Sequence, residues 1–240
     1  MIKGWLKFFR VVNLPTVPGD LLVGAAICAC GVGALASGFY VNLAVATLDA
    51  ILIYMAGLAD NDVVGASTDK ARPIPDGEIT LSSANLSRVL CCLGVVIIAC
   101  IAKLPLLWWL AAAFILIAAF IYNRTKNIFL MGFCRGANVF CGAAATFGSS
   151  LRYLETWRFA ALIAAIAIWS AYFAFVTKYS EGEEFDEAKK RRVGILIGSV
   201  IYIQLVLLMV FLIKPLLIAG AVLLLALRIL KETAKGVSAS

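Results

Sequence analysis

The chain has 240 residues, 63% of them hydrophobic and 15% charged, with a mean hydropathy of +0.98. A water-soluble domain carries about 45–50% apolar and about 25% charged residues, so a soluble fold is excluded. The formal net charge of +7 suits a nucleic-acid partner less than a membrane topology, because most of the basic residues flank apolar runs, and the complete lack of histidine excludes Ser-His-Asp, Cys-His and His-ligated haem or zinc chemistry.

Residues 1–12 interleave Lys3, Lys7 and Arg10 with Trp5, Leu6, Phe8 and Phe9, the composition of a helix lying in the membrane interface. Pro15, Pro18 and Asp20 separate it from the next apolar run, which argues against a cleaved signal peptide. Eight apolar segments follow, at about 20–37, 41–59, 84–102, 105–122, 129–148, 159–178, 193–213 and 215–230. Lipid admits only helices and closed barrels, and a span needs roughly 20 apolar residues. The predicted fold class is therefore all-α: a polytopic transmembrane helical bundle of about eight spans, with residues 1–240 forming a single integral membrane domain.

The odd-numbered connections are short, whereas those at 60–83, 123–128 and 179–192 are polar. With a cytoplasmic N-terminus, 17 of the 21 Lys and Arg residues fall on the inside. The positive-inside rule then places both termini and the polar loops in the cytoplasm. Asp49 falls in the middle of the second span, where a carboxylate is costly and normally paired or functional. The seven cysteines sit in apolar stretches without a Cys-x-x-Cys pair and read as small packing residues. Gly132 and Gly136 form Gly-x-x-x-Gly, a close-packing signal.

Ten of the fourteen acidic residues lie in two of the polar loops: Asp60, Asp62, Asp69, Asp76 and Glu78 in one, and Glu181, Glu183, Glu184, Asp186 and Glu187 in the other. Asp62 and Asp69 are seven residues apart, so on a helix they project the same way with Cα atoms about 10 Å apart. One ion needs further ligands to bridge that gap. Magnesium takes oxygen ligands, keeps waters and is held by one or two carboxylates plus substrate phosphates. Lys70, Arg72, Lys126, Arg135 and Lys178 on the same face suit phosphate oxygens. Acid and base together point to a metal-bridged diphosphate. In the second acidic run, Asp186 with Lys190 and Glu187 with Arg191 are each four apart and equally suit a solvated salt-bridge ladder.

The run Asn61-Asp62-Val63-Val64-Gly65-Ala66-Ser67-Thr68-Asp69, followed by Arg72-Pro73-Ile74-Pro75-Asp76-Gly77, resembles the first signature of the UbiA family of intramembrane prenyltransferases. Arg10 with Asn13, Tyr122 to Lys126, and Gly132 to Asn138 add to the resemblance, which runs in order over about residues 10–210. Gly65 replaces the family's middle aspartate, the spacer before Arg72 is short, and Ser180 to Glu187 replaces the second Asp-x-x-x-Asp signature. That run, with Cys134-Arg135-Gly136, looks more like the divergent UbiA-like proteins of the ebo gene clusters.

The resemblance implies magnesium-dependent transfer of a polyprenyl group from its diphosphate to a small, often aromatic, acceptor within the membrane. It implies Asp62 and Asp69 as catalytic residues and Asn61, Asp62, Asp69, Glu183 and Asp186 as metal ligands. Arg72, Lys126, Lys178 and Arg135 would bind diphosphate, and Arg10, Asn13 and Asn138 would contact substrate. The expected partners are the prenyl diphosphate donor, the acceptor and the lipid bilayer. The altered motifs also admit a non-catalytic relative that binds or moves a hydrophobic metabolite, and Asp49 admits an ion-coupled transporter.

Overall fold

The computed structural model describes residues 2–32, 35, 38–67, 72–181, 186–211, 218, 220–222, 224–226, 228 and 229, excluding the side chains of 149 and 153. Among them there is no strand, and eight α-helices follow in order: α1 (Ile2–Phe8), α2 (Thr16–Ala29), α3 (Phe39–Val64), α4 (Leu81–Ala102), α5 (Leu106–Thr125), α6 (Ile128–Phe147), α7 (Thr156–Ser180) and α8 (Glu187–Val210). Helices α3 to α8, together with Val11–Ala29, are long and apolar enough to span a bilayer. The predicted segment at 215–230 lies largely outside the described residues.

The helix starts follow local chemistry. Thr80 caps α4 by accepting from the Ser83 amide at 3.1 Å, Asn127 caps α6 from Phe129 at 3.0 Å, and Asp186 caps α8 from Lys189 at 3.0 Å. The first span begins earlier than the apolar run suggests. Pro15 stands at its N-cap and Pro18 in its first turn, where the backbone N–H has no intrahelical acceptor to lose.

Helices α2 and α6 form the enclosed centre, and α4 is the most peripheral span. Glycine permits the central contact. A Cβ on Gly24 would lie 1.8 Å from the Val139 carbonyl oxygen, and one on Gly142 would lie 2.0 Å from that of Leu21, so the two backbones touch. The Gly132-x-x-x-Gly136 pair does the same for α6 and α7, where added Cβ atoms would meet Ser170 O and Ser170 Oγ, each at 2.2 Å. Outward faces carry Leu93, Ile97, Leu110, Phe114 and Ile117, as contact with lipid requires.

Helix α1 docks on the bundle. Phe8 is fully buried with Ala59, Ile79 and Ala84, flanked by Trp5, Phe9, Val63 and Ile74, and Lys7 pairs with Glu78 at 3.0 Å. It therefore braces the α3–α4 connection, a role its interfacial composition did not reveal.

Candidate functional site

The site is built from the C-terminal turns of α3 outward. Asp60, Asn61 and Asp62 are consecutive and buried there, and each faces a different set of partners because successive helical residues are rotated by about 100°. Asp62, only 3% exposed, accepts from Arg72 Nη1 at 2.5 Å through Oδ1, and Arg10 Nη2 lies 3.9 Å from the same oxygen. Lys126 Nζ donates to Asn61 Oδ1 at 2.8 Å. A carboxylate and an amide oxygen thus sit side by side under three cations drawn from three separate parts of the chain.

Backbone geometry delivers two of those cations. Arg10 adopts a left-handed conformation (φ 42°) where the chain turns from α1 into the first span, and Lys126 does so (φ 54°) at the end of α5. Such conformations are uncommon for residues with a Cβ and persist where surrounding contacts hold them, often at functional sites. Tyr122, one turn before Lys126, stacks its ring 5.7 Å from the Lys126 ammonium and interacts electrostatically with Arg10, Arg72 and Glu181. The ends of α3, α5 and α7 therefore converge on one face with the 72–79 turn.

Asp60 points away from Asp62. It is gripped by Arg88 Nη1 at 2.7 Å, Arg124 Nη1 at 2.9 Å and Asn123 Nδ2 at 2.9 Å, tying α3 to α4 and α5. This brace holds the helix end that presents Asn61 and Asp62.

A second polar cluster lies within the bundle. Arg135 pairs with Asp20 at 3.0 Å and donates to the Thr16 carbonyl at 3.1 Å, and its guanidinium lies 4.2 Å from the Phe173 ring centre. Asp20 also accepts from Trp169 Nε1 at 2.7 Å and Gln204 Nε2 at 2.8 Å and interacts with Asn138. Four helices are cross-linked by charge-assisted bonds where no water competes. Tyr54 of α3 feels the charges of both Arg10 and Arg135.

Arg10, Asn61, Asp62, Arg72 and Lys126 are thus brought together, while Asn13 stands in the turn before the first span, its carbonyl accepting from the Thr16 hydroxyl at 2.8 Å. Arg135 and Asn138 belong to the adjoining interior cluster, where Arg135 already has a carboxylate partner. Lys178 is exposed and pairs with Glu181 at 2.9 Å, while Asp186 serves as a helix cap and Lys190 pairs with Glu187 at 3.3 Å. Asp69 and Glu183 lie outside the described residues. Asp49 is fully buried, and neither carboxylate oxygen has a hydrogen-bond partner among the described residues. Tyr54, Trp169 and Gln204 stand in no sequence motif, and Asp20 shows in the sequence only as a break before an apolar run; for Trp169 and Gln204 the one weak signal is a polar group inside such a run.

Among the described residues no three His, Cys, Asp or Glu side chains converge as a metal cage. The donor set nevertheless fits magnesium in its usual protein setting, since one carboxylate and one amide oxygen are hard ligands that leave positions for phosphate and water.

The model of the UbiA prenyltransferase family matches residues 21–233. No curated protein matches by sequence. Among solved structures, one from work on digeranylgeranylglyceryl phosphate synthase in membranes is 15% identical, covering 99% of this chain and 92% of that one, with a TM-score of 0.59. A UbiA homologue from Archaeoglobus fulgidus bound to GPP and Mg2+ is 14% identical with a TM-score of 0.60, covering 97% of this chain and 87% of that one. The same homologue bound to DMAPP and Mg2+ gives the same identity, coverage and TM-score. At these identities the structural likeness concerns the fold.

Proposed function

The chain belongs to the UbiA prenyltransferase family, and from that premise we propose that it transfers a polyprenyl group from a prenyl diphosphate to a small, often aromatic, acceptor inside the membrane, with magnesium. The observation that carries this reading is the convergence of Asn61 and Asp62 with Arg10, Arg72 and Lys126 on one end of the bundle. The solved homologue binds GPP or DMAPP together with Mg2+, which supports the donor class and the metal.

Asn61 and Asp62 would hold the ion, with Asp69 as a further ligand from the adjoining segment and Glu183 and Asp186 from the second acidic run. When bound, the ion supplies charge neutralisation for the diphosphate. Arg72 and Arg10 exchange part of their hold on Asp62 for phosphate oxygens, and Lys126 turns from Asn61 toward the same anion. Lys178 and Arg135 would act from the flanks, and Asn13 and Asn138 would contact the prenyl chain or acceptor. The bond between the allylic carbon and the diphosphate oxygen breaks with its electron pair leaving on diphosphate. The acceptor then bonds to that carbon and gives up a proton to the released diphosphate. Once on the bound diphosphate, these cations stabilise the charge that develops as it departs and so lower the barrier. Tyr54 and Tyr122 offer aromatic faces that stabilise an allylic cation. The basic end of the bundle would face the cytoplasm.

A second reading has its own observation. Arg72 already pairs with Asp62 and Lys126 donates to Asn61, an arrangement that holds together without a metal and suits a non-catalytic carrier of a prenylated metabolite. The deciding measurement is binding of geranylgeranyl diphosphate to the purified protein with and without magnesium, for wild type and Asp62→Ala. Magnesium-dependent binding lost in a folded Asp62→Ala variant supports transfer and justifies an acceptor screen with diphosphate release as readout. Metal-indifferent binding supports the carrier.

A further inference from the structure

A groove of about 440 Å³ runs along the outer surface between α4 and α5, apart from Asp62. Its walls are Val89, Leu93, Val96 and Phe120, and its head is formed by Arg88 and Arg124 beside Asp60. Residues 88, 89, 92, 93 and 96 form one stripe on α4 about 12 Å long, comparable with the upper part of an acyl chain. Valines 89 and 96 and Leu93 are about half exposed, so this wall is open to the bilayer.

The head is unbalanced in charge. Two guanidinium groups share one carboxylate, leaving a formal charge of +1. Among the described residues Arg88 directs only Nη1 to a partner, Asp60, so its other donors remain for an anion. Arg124 is 53% exposed; both of its terminal nitrogens reach Asp60 and Nη1 also donates to the Phe120 carbonyl at 2.7 Å, which leaves its outer edge, from Nη2, for an anion. Paired donors on a planar fork match phosphate oxygens.

We propose that this groove binds an anionic phospholipid of the surrounding bilayer, its phosphate on Arg88 and the exposed edge of Arg124 and one acyl chain along Val89, Leu93 and Val96. Charge complementarity selects the headgroup, and the apolar stripe beneath it selects a lipid over a soluble anion. The site is separate from prenyl transfer and does not depend on it.

The test is native mass spectrometry of the detergent-purified protein, titrated with an equimolar mixture of phosphatidylglycerol and phosphatidylcholine carrying identical chains. A basic residue at a membrane surface favours an anionic lipid by about fivefold, so wild type should retain phosphatidylglycerol by about that factor over phosphatidylcholine. Arg88→Gln, in which Asp60 keeps Arg124 and Asn123, should fall to near parity. Val89→Trp fills the groove, leaves every ion pair in place and should also fall to near parity. Arg191→Gln removes an exposed arginine elsewhere and should keep the preference. Four outcomes overturn the proposal: no preference in wild type; a preference unchanged in both groove variants; an equal loss in Arg191→Gln, which would mark a general surface-charge effect; or a preference abolished by millimolar inorganic phosphate, which would make a free anion the ligand.

Discussion

Replacing Asp60 by alanine tests whether the end of α3 is held by charge. The buried carboxylate accepts hydrogen bonds from Arg88, Arg124 and Asn123, and removing it strips all three at once. Deleting one partner of a fully buried pair costs about 3–5 kcal/mol. Here the arginines are partly exposed, with Arg88 at 28% and Arg124 at 53%, and regain water, so the cost falls below that range, to about 2–3 kcal/mol. Asp60→Asn keeps one acceptor oxygen of the same shape but loses the charge and the second acceptor, so a smaller cost than for alanine is expected. The assay is denaturant or detergent-titrated unfolding of the purified protein in matched bilayer discs, followed by helical circular dichroism. Midpoints for Asp60→Ala equal to wild type would refute the brace. Equal losses for Asp60→Ala and Asp60→Asn would refute its hydrogen-bond geometry and leave only charge.

Three further outcomes follow from the packing. Gly132→Ala sets a Cβ 2.2 Å from the Ser170 carbonyl oxygen, and since backbone yields little, a loss of about 1–3 kcal/mol is expected in the same unfolding assay. Phe8→Ala empties the contact between α1 and Ala59, Ile79 and Ala84, so limited proteolysis should cut near residues 72–79 faster than in wild type; an unchanged cleavage rate would mean that α1 does not brace that turn. Asp49→Val removes a buried carboxylate with no described partner and should raise stability by about 1–3 kcal/mol, whereas a marked loss would reveal an occupant at that carboxylate.

Much of the architecture is legible in the sequence because bilayer physics is blunt. An apolar run of spanning length has one stable backbone solution, so the helices could be read from hydropathy, with errors only at ends such as Thr16, where prolines join the first turn instead of preceding it. That the Asn61-Asp62 end and the Arg72 turn belong together was legible too, since charged residues beside apolar runs are few and these lie ten residues apart on one membrane face. Partner choice was not legible. Sequence spacing treats Asp60 and Asp62 as members of one acidic cluster, yet two residues along a helix turn the side chain by about 200°, which sends Asp60 to α4 and α5 and Asp62 to Arg72 and Arg10. Arg135 reads as a phosphate ligand by motif position, but the 115 residues separating it from Asp20 close only when α2 and α6 meet at Gly24 and Gly142. By itself the sequence determined that this is a helical membrane protein with carboxylates, amides and cations at the ends of its spans, because solvation energy acts locally along the chain. Only the tertiary structure decided which cation meets which carboxylate, because pairing depends on helix rotation and on backbone approach.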